Sequence, residues 1–169
     1  MQDDNGMQYS IWRHQYIENS YYYRGKLIDT FNLLEKSIEH LLMDYFTPNE
    51  NEKRIDFRFI ILDRLTFQSK KDSLLALMNR YEEFNGFVKT GSNSWPHSAV
   101  FKDIQFAQDE RNKFAHYFLI VPNTVTDDFI ILAEMRDGKG LINYDSKRYF
   151  DTITRIQGAT IGVNSLINV

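Results

Sequence analysis

An arginine, an asparagine, a lysine and a histidine share one hexapeptide, Arg111-Asn112-Lys113-Phe114-Ala115-His116. On a helix Asp109, Asn112 and His116, spaced three and four residues apart, lie on one face, and Asp109 stands one turn before Lys113, in reach of a local ion pair. Histidine exchanges protons near neutral pH, so His116 suits acid and base work. Arg111 is set differently. It fills a gap in an apolar stripe formed by Val100, Ile104, Ala107, Phe114 and Phe118. A guanidinium keeps its charge, and in such a stripe it requires a carboxylate or a phosphate. Glu35 and Glu39, at the edge of the stripe of an earlier helix, are the internal candidates, and a structural salt bridge is the plainer reading of Arg111. A capped or solvated side chain is the plainer reading of His116.

Other chemistries find little support. The four histidines, His14, His40, His97 and His116, show no metal-ligand spacing, and the chain has no cysteine, which excludes disulfides, thiolate zinc sites and a cysteine nucleophile. Neither a Gly-x4-Gly-Lys loop nor a Gly-x-Gly-x2-Gly fingerprint occurs, so no nucleotide cofactor and no metal is expected. His40, one turn beyond Lys36, reads as a surface residue.

The elements that must position the hexapeptide are mostly helices. Leu27, Phe31, Leu34, Ile38, Leu41 and Tyr45 alternate in steps of four and three and predict a long amphipathic helix from about 22 to 46. Thr47-Pro48-Asn49-Glu50-Asn51-Glu52 ends it, and Phe57 to Leu62 reads as a short extended or poorly defined apolar segment. A second helix runs from about Ser69 to Phe84 with Leu74, Leu77, Met78 and Tyr81 on one face, and a third from about Ser98 to Leu119 carries the hexapeptide. Phe129 to Met135 and Leu141 to Tyr144, flanking Asp137-Gly138-Lys139-Gly140, read as a β-hairpin. A last helix from about Lys147 points Phe150, Ile153, Ile156 and Val163 inward. The fold class is therefore mainly α: a bundle of four to five helices with a small β-hairpin insertion near 127-145. Residues 1-20, with Tyr9, Trp12 and Tyr16, form an aromatic-rich arm, and 21-169 form a single helical domain.

Length and composition agree with one packed globule, since 43% of the residues are hydrophobic and 15% aromatic. No apolar run is long enough to span a bilayer, and the absence of cysteine suits a reducing, cytoplasmic setting. The net charge of −3 opposes binding of a polyanion by the molecule as a whole. A nucleic-acid site would need a local patch, for which Lys70-Lys71, Arg111, Lys113 and Lys147-Arg148 are the contributors.

The hexapeptide resembles the Arg-x4-His motif of the HEPN superfamily (higher eukaryotes and prokaryotes nucleotide-binding), including the polar residue after the arginine and the small residue before the histidine. The resemblance covers residues 20 to 120 in helix order and the hexapeptide in detail. It implies a HEPN-like bundle, a homodimer with motif helices facing across a cleft, and a metal-independent endoribonuclease, in some members a toxin held by a protein antitoxin. His116 would move protons at a ribose 2′-oxygen or the leaving 5′-oxygen, Arg111 would hold the scissile phosphate, and Asn112 would orient either. Lys113 and Tyr117 would touch the RNA, with Asp109, Glu35 and Glu39 in support. Some HEPN toxins carry, two residues after the histidine, a tyrosine that their partner modifies; here Phe118 occupies that position and the tyrosine is Tyr117. The rival readings are a non-catalytic HEPN-like module binding RNA, a nucleotide or a protein, and a helical interaction module that uses Tyr9, Trp12 and Tyr16 as its contact surface.

Overall fold

A computed structural model describes residues 3–48, 51–89, 94–134 and 140–166. It is mainly helical with a small three-stranded antiparallel sheet. The described elements are α1 (Asp3–Phe46), α2 (Asn51–Ile60), a 3-10 turn (Leu62–Arg64), α3 (Phe67–Phe84), α4 (Ser98–His116), β1 (Phe118–Leu119), β2 (Ile130–Ala133), β3 (Leu141–Tyr144) and α5 (Ser146–Asn164). They divide into two compact units, Met1–Phe31 with Ala107–Arg155, and Asn32–Phe106 with Ile156–Val169.

Helix α1 begins far earlier than the aliphatic pattern predicts, because the pattern continues upstream in rings. Tyr9, Trp12, Tyr16, Ser20, Tyr23, Leu27 and Phe31 follow one another at helical steps, and Tyr16, Ser20, Leu27 and Phe31 are buried. From Asp3 on, the aromatic-rich stretch thus enters the first unit as turns of this helix. Tyr9 donates its hydroxyl to the Pro122 carbonyl at 2.8 Å, and the Tyr16 hydroxyl accepts from the Ile131 amide at 2.9 Å.

In the first unit the sheet runs β1-β2-β3, with Phe118 opposite Ala133 and Leu119 opposite Leu132, then Ile130 opposite Tyr144 and Ala133 opposite Leu141. The predicted hairpin is present as β2 and β3; its turn residues Asp137, Gly138 and Lys139 lie outside the described residues. Helix α4 stops at His116, earlier than predicted, because the aromatic and β-branched run that follows forms β1, and Phe118 is exposed as a result. Asp145 caps α5 by accepting from the Arg148 amide at 2.7 Å. Ile153, Ile156 and Val163 of α5 are buried as expected, whereas Phe150 is exposed and the adjacent Tyr149 takes the inward place at the start of the helix. Rings dominate this core: Tyr23 stacks on Phe129 at 4.5 Å, and Phe114 meets Tyr144 edge-on at 4.7 Å.

The second unit buries Leu34, Ile38, Leu42 and Met43 of α1, Leu62, Leu74, Leu77 and Met78, Ile104 of α4, and Ile156, Ala159 and Val163 of α5. Leu42 takes the inward position that the sequence pattern gives to Leu41 and Tyr45, and Tyr45 is exposed. Of the segment read as extended or poorly defined, Phe57 to Ile60 complete α2 and Leu62 opens the 3-10 turn, while Asn51 and Glu52, read as part of the helix stop, begin α2. Glu52 in the first turn and Arg58 in the last turn of α2 complement the helix dipole. Thr66 caps α3 by accepting from the Ser69 amide at 3.2 Å, and Gly86 beyond its end takes φ +87°, a conformation open chiefly to glycine.

Candidate functional site

The hexapeptide closes α4 in the first unit, where Ala107, Glu110 and Phe114 form the buried face of the helix. The stripe position between Ala107 and Phe114 is shared by two residues. Glu110 takes the inward one at 4% exposure, and Arg111 beside it is half-buried. A carboxylate at that depth needs donors, and it has two. Tyr144 donates its hydroxyl to Oε2 at 2.6 Å, and Lys113 donates from Nζ to Oε1 at 2.5 Å. Burial, then the bond to Glu110 and its charge, push the Tyr144 hydroxyl well above the ordinary tyrosine range. Lys113, expected to pair with Asp109, is thus held one turn away by Glu110; Asp109 is exposed and has interactions of its own.

Arg111 lies over the face of Phe31, with 5.7 Å from Cζ to the ring centre. Its Nη1 donates to Asn112 Oδ1 at 3.2 Å, while its Nε is buried without a hydrogen-bond partner among the described residues. The expected carboxylate partners are engaged elsewhere. Glu35 and Glu39, in the second unit, both accept from Lys70 Nζ, at 2.6 Å for Glu35. Lys70 is itself buried, and two carboxylates facing one ammonium account for its place there.

Asn112 and His116 are exposed at the end of the helix. Tyr117 follows directly; its carbonyl accepts from Arg24 Nη2 at 3.2 Å, and burial followed by the hydrogen bond to Glu134 raises its hydroxyl above the ordinary range. Arg111, Asn112, Lys113, His116 and Tyr117 are therefore consecutive features of one helix end in one unit, whereas Glu35 and Glu39 belong to the setting of Lys70. Glu110 and Tyr144 are the residues that sequence reasoning did not single out. The helical step from Ala107 to Glu110 to Phe114 marks the glutamate as inward, but a partner on β3 has no signal in spacing.

Among the described residues, no group of three His, Cys, Asp or Glu side chains could hold a metal ion, and no helix is long and apolar enough to cross a membrane. Comparisons with protein-family models, with curated proteins and with solved structures find no significant match to this chain.

Proposed function

We propose that this chain is a cytoplasmic, metal-independent endoribonuclease of HEPN type that works as a homodimer. The observation that supports it most is the state of Arg111. Its guanidinium has a ring beneath it, an amide beside it and a buried Nε without a partner among the described residues. A charge kept in that condition favours an anion from outside the chain, and a phosphodiester is the anion that the neighbouring histidine can act upon.

In this reading the RNA backbone lies along the end of α4, with the scissile phosphate on Arg111. His116 takes the proton from the ribose 2′-hydroxyl, the 2′-oxygen attacks phosphorus, and the bond from phosphorus to the 5′-oxygen breaks. The partner's His116 supplies the proton that the departing 5′-oxygen needs. Arg111 offsets the charge that grows on the phosphoryl oxygens, and Asn112 keeps the guanidinium oriented. Lys113 is tied to Glu110 and adds its charge from the flank. The products are a 2′,3′-cyclic phosphate and a 5′-hydroxyl.

The test is cleavage of a mixed RNA pool in EDTA by the wild type, His116→Ala and Arg111→Ala, with the chemistry of the new ends determined. Cyclic-phosphate ends made by the wild type and lost in both variants are expected. A folded wild-type dimer that binds RNA without cutting it would transfer the assignment to a non-catalytic HEPN-like module.

A further inference from the structure

One face of α1 and the loop before β2 enclose a groove of about 200 Å³, away from the hexapeptide in sequence and entirely within the first unit. Trp12, Gln15, Tyr16, Asn19 and Tyr23 line it from α1 at steps of three and four residues, and Thr126, Asp127, Asp128 and Phe129 line it from the loop. Two features define what it accepts. Four of its nine lining residues are aromatic, and they are mutually braced: Trp12 packs on Tyr16 at 5.3 Å, and Tyr23 stacks on Phe129 at 4.5 Å with only 8° between the planes. Its charge is carried by two aspartates with no basic residue among the lining side chains. Asp128 is held in place, since its Oδ2 accepts from Thr126 Oγ1 at 3.2 Å and from Asn143 Nδ2 at 3.1 Å, while Asp127 is exposed at the rim.

We propose that this groove binds an organic cation, an alkylammonium or guanidinium group, with its apolar part against the rings and its charge toward Asp127 and Asp128. The negative faces of aromatic rings attract such ions, and the two carboxylates supply the counter-charge. Phosphate-bearing ligands are disfavoured by the same two carboxylates. The volume is below the roughly 300 Å³ at which sites for drug-sized ligands begin, and it suits a single amino-acid side chain or a slender amine. The rings of the amino-terminal turns thereby gain a role apart from the RNA chemistry, and the proposal does not depend on that chemistry.

Trp12 is both wall and reporter. The wild-type chain is titrated, by tryptophan fluorescence and by calorimetry, with spermidine, with acetyl-Gly-Lys-Gly-amide and acetyl-Gly-Arg-Gly-amide, and with the norleucine tripeptide as neutral control. Saturable binding of a cation, about tenfold tighter than the control, is expected, with a fluorescence change that Trp12→Phe abolishes. Tighter binding of spermidine would identify a free polyamine as the ligand, and tighter binding of a tripeptide a basic side chain of a polypeptide. Asp127→Asn, at an exposed position, should weaken binding roughly three- to tenfold without altering the fold, and Asp128→Asn should weaken it further. Arg111→Ala should leave it unchanged. Equal response to the neutral tripeptide, no response to any cation, or a response to uridine in place of the cations would overturn the assignment.

Discussion

Replacing Tyr144 by phenylalanine removes one oxygen from the first unit and isolates the device that holds the end of α4. The lost bond is short, at 2.6 Å, and its acceptor is a carboxylate exposed by only 4%, so solvent screens it little. Hydrogen bonds to charged groups contribute about 1.5–3 kcal/mol. Glu110 keeps the Lys113 ammonium, so the variant does not strand an unpaired charge, and the lower part of that range applies: about 1.5–2 kcal/mol. For a chain of this length that corresponds to a fall in Tm of roughly 3–8 °C. Urea unfolding followed by circular dichroism measures it, with the slope unchanged if only the bond is lost. A cycle with Glu110→Gln separates the pair from the individual residues, and a coupling of about 1 kcal/mol or more is expected for groups in direct contact. A Tyr144→Phe variant within about 0.5 kcal/mol of wild type would refute the claim that this contact anchors the helix end.

Alkaline pH acts on the same contacts. Burial is the leading cause that raises the Tyr144 and Tyr149 hydroxyls above their ordinary value of 10.0, so the fold retains protons that the unfolded chain has released; stability is full below about pH 10 and falls as pH rises beyond it. Urea midpoints measured from pH 8 to 11 should show that fall, with a shallower slope in Tyr144→Phe than in the wild type. Lys70→Met leaves Glu35 and Glu39 facing each other without their ammonium and should cost about 2–3 kcal/mol, less than a fully buried pair because Glu35 is partly exposed; chemical unfolding at neutral pH reads it directly. Gly25→Ala and Gly158→Ala, inside α1 and α5 with open space where a Cβ would stand, should each raise stability by roughly 0.4–1 kcal/mol in urea unfolding, and a loss of stability in either would refute the open space assigned to that position.

Helices were legible wherever an aliphatic stripe was continuous, as from Leu27 to Ile38 and from Leu74 to Met78. The start of α1 was hidden because its stripe is built from Tyr9, Trp12, Tyr16 and Tyr23, residues that suit a strand, a loop or an interface equally well until their partners are known. Phe57 to Ile60 belong to a helix that buries none of its residues, so burial patterning had no purchase on it. At Phe150 and Tyr149 two adjacent rings compete for one inward position, and only the phase set by the Asp145 cap decides between them. The hexapeptide itself was legible as a polar cluster at a helix end. The pairings were not, since Glu110 with Tyr144 in the first unit, and Lys70 with Glu35 and Glu39 in the second, join residues more than thirty positions apart.

Lys70 is buried and Arg111 half-buried, and their charges are met in opposite ways. Lys70 sits at 5% exposure with both Glu35 and Glu39 on its ammonium, so its charge is fully answered within the second unit and its pKa is raised in spite of burial. Arg111 has carboxylate-bearing Glu110 as its immediate neighbour in sequence, yet that carboxylate is given to Tyr144 and Lys113. A ring contributes about 0.5–2 kcal/mol to a cation and a neutral amide about as much, less than a carboxylate would at the same depth. Stability alone therefore favours replacing Arg111 by an apolar residue of similar length, and Arg111→Met should be neutral or stabilising while removing any anion bound there. Phosphate or an RNA oligonucleotide that raises the Tm of the wild type and not of Arg111→Met would assign the unspent charge to an external anion. An Arg111→Met variant that loses several kcal/mol would assign it to the fold instead, and the ribonuclease reading would lose its principal support.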